Sequence, residues 1–215
     1  MAKIVRYLPE FTGEISSAAV QALTTEEFIV HPTDTVYGIA AVWDSEAAVQ
    51  KVIRAKGRSP AQPFSIMVNS VEMLLQNSGH NQSWLVHLLK KLLPGALTVL
   101  LPAEKAGPIP YWKQFPLLGF RWPDHDLCNN LVRKAGCPLI TTSANRTGEI
   151  APAEFSEIDE SILKQAAFAI DNESCGTGEP STIIEVEMAK RSYRIIRQGS
   201  YSESKVERIF TDINS

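Results

Sequence analysis

The sequence predicts a mixed α/β fold, a mixed β-sheet covered by helices, on three observations. Short apolar runs alternate with helix-period stretches almost to the end of the chain. Serines recur just ahead of the helical stripes, and Gly or Pro follows them. The 215 residues, 44% hydrophobic and 21% charged, match an ordinary globular chain long enough to bury a sizeable core. Neither an internal repeat nor a linker-like composition shift divides them, so 1–215 is expected to form one domain.

Taken in order, Ser16 or Ser17 is placed to cap a short helix through Leu23, and Phe28–Val30 has the apolar density of a buried strand. Residues 36–42 continue extended. Ser45 heads a helix whose stripe is Ala48, Val49, Val52 and Ile53. Phe64 to Val68 is the next strand, and Ser70 and Ser83 open two further helices. The second carries Trp84, Leu85, Leu88, Leu89 and Leu92 until Pro94-Gly95 stops it. Leu97 to Leu101 is a strand. Residues 102–116, with four prolines and little periodicity, are the longest expected loop. A short strand to Arg121, a helix over 124–135 and a strand over 138–142 follow. A helix near 154–166, a strand at 168–170, a polar loop over 171–180 and a strand pair at 181–186 and 193–196 complete the expectation.

The charge balance narrows the functional classes. With 24 acidic against 21 basic side chains, no overall cationic excess announces nucleic acid. Cys128, Cys137 and Cys175 are odd in number and widely spaced, which argues against a disulfide framework or zinc site and for a cytoplasmic setting. No apolar run reaches membrane-spanning length. Neither GxxxxGK[ST], GxGxxG after a strand, HExxH nor GxSxG occurs, so no metal site or covalent nucleophile is expected.

What remains is hydroxyl clusters faced by cations. Phe28-Ile29-Val30 leads into His31-Pro32-Thr33-Asp34-Thr35-Val36-Tyr37-Gly38, and the following helix ends in Arg54, Lys56 and Arg58. Such groups suit a small polar ligand carrying phosphate. Read blandly, Thr33 and Thr35 cap a turn, Ser143 and Asn145 form another, and Lys56 and Arg58 sit at a solvated helix end. Arg121 differs, because it interrupts the apolar Leu-Leu-Gly-Phe-Arg-Trp-Pro and needs a partner; a ligand carboxylate would serve. Arg194 competes with Arg197 as the cation on the last strand. His31, His80, His87 and His125 are isolated and read as structural or exposed.

Six motifs then stand in register: Pro32 to Gly38, Lys56-Gly57-Arg58, Pro94 to Thr98, Arg121 before a tryptophan and proline, Thr142-Ser143-Ala144-Asn145, and Pro180 to Ile184. Over about Ile15–Gly199 the chain closely resembles the YrdC/TsaC family of threonylcarbamoyl-AMP synthases, in the single-domain form. The resemblance implies a YrdC-like twisted mixed β-sheet flanked by helices. It also implies an enzyme, a nucleotidyltransferase making threonylcarbamoyl-AMP and pyrophosphate from L-threonine, bicarbonate and ATP. The product supplies the machinery that modifies position 37 of tRNA, and weak tRNA binding is compatible with it. Carried onto this sequence, Lys56 and Arg58 are the catalytic cations. Thr33, Thr35, Arg121, Thr141 and Ser181 would bind threonine, and Lys56, Arg58, Ser143, Asn145 and Arg197 the nucleotide. Mg²⁺ would be held mainly through phosphates. Met67, Leu117 and Ala151 depart from the usual pattern. The competing reading is a non-catalytic RNA-binding or ribosome-maturation module of the same fold.

Overall fold

The computed structural model describes residues 2–105 and 107–214. Among them ten strands join in one mixed sheet: β1 (Lys3–Arg6), β2 (Ile29–His31), β3 (Gly38–Val42), β4 (Ser65–Met67), β5 (Leu97–Pro102), β6 (Leu117–Arg121), β7 (Leu139–Ser143), β8 (Phe168–Asp171), β9 (Thr182–Glu187) and β10 (Ser192–Arg197). Their order is β1-β8-β2-β3-β7-β4-β6-β5-β9-β10. β8 pairs parallel to both β1 and β2, β4 pairs parallel to β6 and β5 to β9; the other neighbours are antiparallel.

Among the described residues seven α-helices cover the sheet unequally: α1 (Thr12–Leu23), α2 (Glu46–Lys56), α3 (Val71–Ser78), α4 (Ser83–Leu92), α5 (Asp126–Ala135), α6 (Glu160–Gln165) and α7 (Glu203–Asn214). Because strand side chains alternate between faces, each strand feeds two cores. Val30, Ile39, Ile66, Phe120 and Ile140 enter a large core with the apolar stripes of α2, α4 and α7. Ile29, Ala40, Met67 and Leu139 point the other way, into a smaller core built on α1 and α5. Those two helices pack over β8 and β2, reach Ala40, Leu139 and Met67 on β3, β7 and β4, and leave the far part of that sheet face bare. The bare part carries Ser65, Gly119, Arg121, Thr141, Thr98 and Ile183, which the pairing registers bring side by side.

The serine caps hold at two helices and fail at two. Ser45 Oγ accepts from Ala48 N (3.2 Å) and Ser70 Oγ from Met73 N (3.0 Å). Helix α1, however, starts earlier, at Thr12; Ser16 and Ser17 lie inside it and donate back to the carbonyls of Thr12 and Gly13. Ser83 is the first residue of α4, and the flanking Gln82 makes no side-chain cap. The expected loop at 102–116 contains a 3₁₀ turn, Pro110–Gln114, that buries Tyr111 and Trp112; Trp112 Nε1 donates to Trp43 O (2.9 Å). The helix expected over 154–166 is a 3₁₀ turn, Phe155–Glu157, followed by α6, which Asp159 caps. Strand β1 and helix α7 were not among the expected elements. All three cysteines are free. Among the described residues no helix is long and apolar enough to cross a membrane.

Candidate active site

The bare half of the sheet is the floor of a cleft of about 620 Å³. Gly119 lies on that floor, where a side chain would press on Leu100 Cδ2 at 3.0 Å and Thr98 Cγ2 at 3.3 Å. Thr33, Lys56, Arg58, Arg121, Thr141, Ser143, Asn145, Ser181 and Arg197 all line the cleft, although they come from six separate stretches of chain. Thr35 does not; it is wholly buried beneath the wall.

The turn between β2 and β3 is self-bonded. Thr33 Oγ1 donates to Val36 O (2.7 Å), accepts from Thr35 N (3.0 Å) and meets Thr35 Oγ1 at 3.0 Å. Arg121 Nη2 donates to Thr35 Oγ1 (2.6 Å) and to Asp34 Oδ1 (2.5 Å), the latter within an ion pair whose side chains are each 10% exposed. Asp34 Oδ2 accepts from Asp124 N (3.2 Å). The buried guanidinium thus has a carboxylate partner inside the protein, and Asp34, absent from the sequence-derived site, supplies it. Arg121 Nε has none. The polar loop over 171–180 braces this turn: Gly176 has no room for a Cβ, which would lie 2.1 Å from Asp34 O, and Thr177 N and Gly178 N donate to the carbonyls of Asp34 and Thr35.

Lys56 departs from the bland alternative of a solvated helix end, since only 3% of it is exposed. Gly57, in the left-handed conformation at φ 59°, ends α2 and lets the chain turn away. The lysine reaches inward instead, and its Nζ donates to Ser143 O (2.5 Å), Asn145 O (2.6 Å) and Asn145 Oδ1 (3.3 Å). Burial, then the charge of Arg58, pushes its ammonium down to about 7, while Glu149 pulls it back up. Ser143 Oγ closes the turn by donating to Asn145 Oδ1. Arg58 is the more open cation. Its Nη1 donates to Thr142 Oγ1 (3.3 Å), its Nη2 to Pro63 O (2.6 Å), and its guanidinium lies 4.8 Å from the Phe64 ring centroid.

Opposite stands the β5–β9 edge. Thr98 Oγ1 and Ser181 Oγ share a hydrogen bond (2.9 Å), and Arg197 Nε and Nη2 donate to Ser181 O at 3.2 and 2.7 Å. Arg194 pairs with Glu185 at the surface, whereas Arg197 lines the cleft. Thr98, Gly38, Glu149 and Ala151 also line the cleft, whereas Met67 is fully buried in the smaller core. A hydroxyl at 98 between the apolar Leu97 and Val99 was the sequence signal for Thr98.

Of the four histidines only His87 is exposed. His80 Nε2 lies 3.0 Å from Pro102 O. His31 is fully buried and held down to about 4, chiefly by burial. Among the described residues no group of three His, Cys, Asp or Glu side chains is placed to hold a metal.

The cleft therefore presents four cations above a floor of hydroxyls, an arrangement for gripping anionic ligands. Comparison with known proteins agrees with that chemistry. The chain is 34% identical over 161 residues to the putative threonylcarbamoyl-AMP synthase of Methanocaldococcus jannaschii, covering 75% of each. It is 27% identical over 219 residues to the threonylcarbamoyl-AMP synthase of Bacillus subtilis, covering 99% of this chain and 63% of that one. The crystal structure of Pyrococcus abyssi Sua5 complexed with L-threonine superposes with a TM-score of 0.85 at 26% identity, over 97% of this chain and 60% of that one. The chain thus spans less than two thirds of the length of the Bacillus and Pyrococcus proteins. The Sua5/YciO/YrdC family model, described as telomere recombination, matches residues 21–199, and the chain belongs to that family.

Proposed function

We propose that the cleft forms threonylcarbamoyl-AMP and pyrophosphate from L-threonine, bicarbonate and ATP, a nucleotidyl transfer. The observation that carries the reading is the convergence of Lys56, Arg58, Arg121 and Arg197 over the hydroxyls of Thr33, Thr98, Thr141 and Ser181. Anionic carbamate and phosphate need that charge. Among the described residues no His, Asp or Glu side chain is hydrogen-bonded to a cleft hydroxyl, so no covalent enzyme intermediate is invoked. The amine of threonine takes up the bicarbonate carbon with loss of water. An oxygen of the resulting carbamate then attacks the α-phosphorus of ATP, and pyrophosphate leaves. Arg58 and Arg197 neutralise the phosphates, and the Ser143–Asn145 turn, fixed by Lys56, holds the nucleotide in line.

Mg²⁺ fits this donor set only as the partner of the phosphates, because among the described residues Glu149 is the sole carboxylate lining the cleft. When bound with the nucleotide it would neutralise phosphate charge. Threonylcarbamoyl-AMP is an activated acyl donor, and the tRNA-modifying transferase machinery, in the cytoplasm, would consume it.

Incubation with ATP, bicarbonate and labelled threonine tests the proposal. Stoichiometric pyrophosphate and a threonine-labelled adenylate are expected, and ¹⁸O from bicarbonate should appear in AMP after the product decomposes by C–O cleavage. A trapped phosphoenzyme or aminoacyl-enzyme would rule out direct attack.

A further inference from the structure

Among the described residues the cleft holds one carboxylate beside its four cations, and the contacts of that carboxylate do not account for its place. Glu149 closes a turn just after β7: its N donates to Arg146 O (3.1 Å), and Gly148, at φ 91°, supplies the left-handed residue the turn needs. Two further bonds hold the turn against the cleft. Thr147 N donates to Lys56 O (2.9 Å), and Asn145 Nδ2 donates to Glu149 O (2.7 Å). All three bonds fix the backbone, and none needs the Glu149 side chain. The exposed carboxylate itself has a single hydrogen bond, Oε2 accepting from Arg146 N at 3.3 Å. Among the described residues it joins no ion pair. Its charge reaches Lys56 and pulls that ammonium up, yet Lys56 bonds the carbonyls of Ser143 and Asn145 instead.

The strand register shows which end of the cleft this is. Leu139, Met67 and Arg121 share one row across β7, β4 and β6. Ser143 lies four residues further along β7, about 13 Å away at the rise of a strand. Glu149 follows beyond Ser143, so it belongs to the nucleotide end, beside Lys56, and not to the Arg121 end read for threonine. A carboxylate facing a polyphosphate repels it unless a cation stands between them. The protein's own cations are committed elsewhere: Lys56 to carbonyls, Arg121 to Asp34, Arg58 to Thr142 and Pro63, and Arg197 to Ser181. The remaining cation is the one ATP carries. Mg²⁺ is held by one or two carboxylates together with substrate phosphates and water. One carboxylate does not make a resident metal site, but it completes the shell of an ion that arrives with its phosphates.

We propose that Glu149 takes one position around the Mg²⁺ ion that accompanies ATP, so that the cleft selects the metal–nucleotide complex over the bare nucleotide. This rests on the nucleotide reading of the cleft and adds a positioning residue to it. Lys56 and Arg58 attract phosphate oxygens with or without the ion; Glu149 makes the difference between the two forms.

Calorimetric titration of the intact protein with ATP, in Mg²⁺ and in EDTA, tests this. It is run at pH 6, below the point near 7 where Lys56 loses its charge. Mg²⁺ should tighten ATP binding to the wild type about tenfold or more, and Glu149→Gln should weaken the Mg²⁺ complex about tenfold while leaving metal-free ATP equal or tighter. Glu149→Lys, which sets a fixed cation in place of the ion, should bind metal-free ATP about tenfold tighter than the wild type and gain nothing from Mg²⁺. The thermal midpoint should hold in both variants, since the turn is fixed through its backbone. A loss shared equally by the two forms of ATP, or a gain from Mg²⁺ that is absent in the wild type or unchanged in Glu149→Gln, would overturn the proposal while leaving the nucleotide reading intact. A wild-type protein that binds ATP in neither form would overturn both.

Discussion

Replacing Lys56 with methionine should unfold the protein earlier and disable its nucleotide site at once. Methionine keeps much of the stem and excludes water, whereas alanine would leave a hole that water could enter and partly repair. The ammonium donates to the carbonyls of Ser143 and Asn145 at 2.5 and 2.6 Å. Each buried acceptor left unpartnered costs about 1–3 kcal/mol. Against this, methionine avoids the burial of charge that pushes the lysine down to about 7. The net expectation is a loss of about 2–4 kcal/mol, near the value for breaking a buried charged contact from one side. For a chain of this length that lowers the thermal midpoint by about 4–16 °C. Melting followed by circular dichroism at pH 6 reads the first effect, and titration with ATP reads the second, a fall of about tenfold. A midpoint within about 2 °C of wild type would show that Lys56 does not hold the Ser143–Asn145 turn, and the inward-facing lysine would lose its structural meaning.

Arg58→Ala should cost ATP binding about 1.5–3 kcal/mol with little change in melting, since Arg58 bonds only Thr142 and Pro63 and is partly open; equal losses of both would refute that division. Asp34→Asn leaves the buried Arg121 without a charge partner and should destabilise by about 2–4 kcal/mol while raising KM for threonine more than for ATP, measured by denaturant titration and steady-state kinetics. Lys56, lowered to about 7, carries its charge below that pH and loses it above, so ATP affinity should fall between pH 6.5 and 8.5 in the wild type. In Lys56→Met the same interval should be nearly flat. Threonine should outcompete valine sharply, because valine would leave a buried hydroxyl partner unpaired, whereas serine, short of one methyl, should remain a detectable substrate.

Local physics made much of this molecule readable in advance. The apolar runs of β2, β5 and β7, the Ser45 and Ser70 caps and the stripe of α2 are decided by neighbours within a few residues. The grouping of Lys56, Arg58, Ser143 and Asn145 at one cleft was implied by the family motifs. What escaped depended on distant partners. Lys56 looks like a solvated cation until the carbonyls of residues 143 and 145 are in place. Asp34 looks like a turn residue until Arg121, on β6, arrives beside it. Strand β1, with its Lys-Ile-Val-Arg sequence, has little strand signal and owes its state to parallel pairing with β8. Helix α7 buries only Val206, Ile209 and Phe210, a thin stripe after a break in periodicity.

The contact of Gly176 with Asp34 also sets a timetable for synthesis. The 142 positions between them take about 7–28 s to leave a ribosome working at 5–20 residues per second. For that interval the Asp34 and Thr35 carbonyls wait without the Thr177 and Gly178 amides, and Ser181 and Arg197 do not yet exist. Lys3 likewise waits for Phe168 before the sheet gains its edge. Such sequence-distant closures are slow and are repaid only when complete. A nascent chain of this protein would thus carry the Thr-Asp-Thr turn early and acquire a working cleft late, so that a stalled or truncated product is inert rather than half-active.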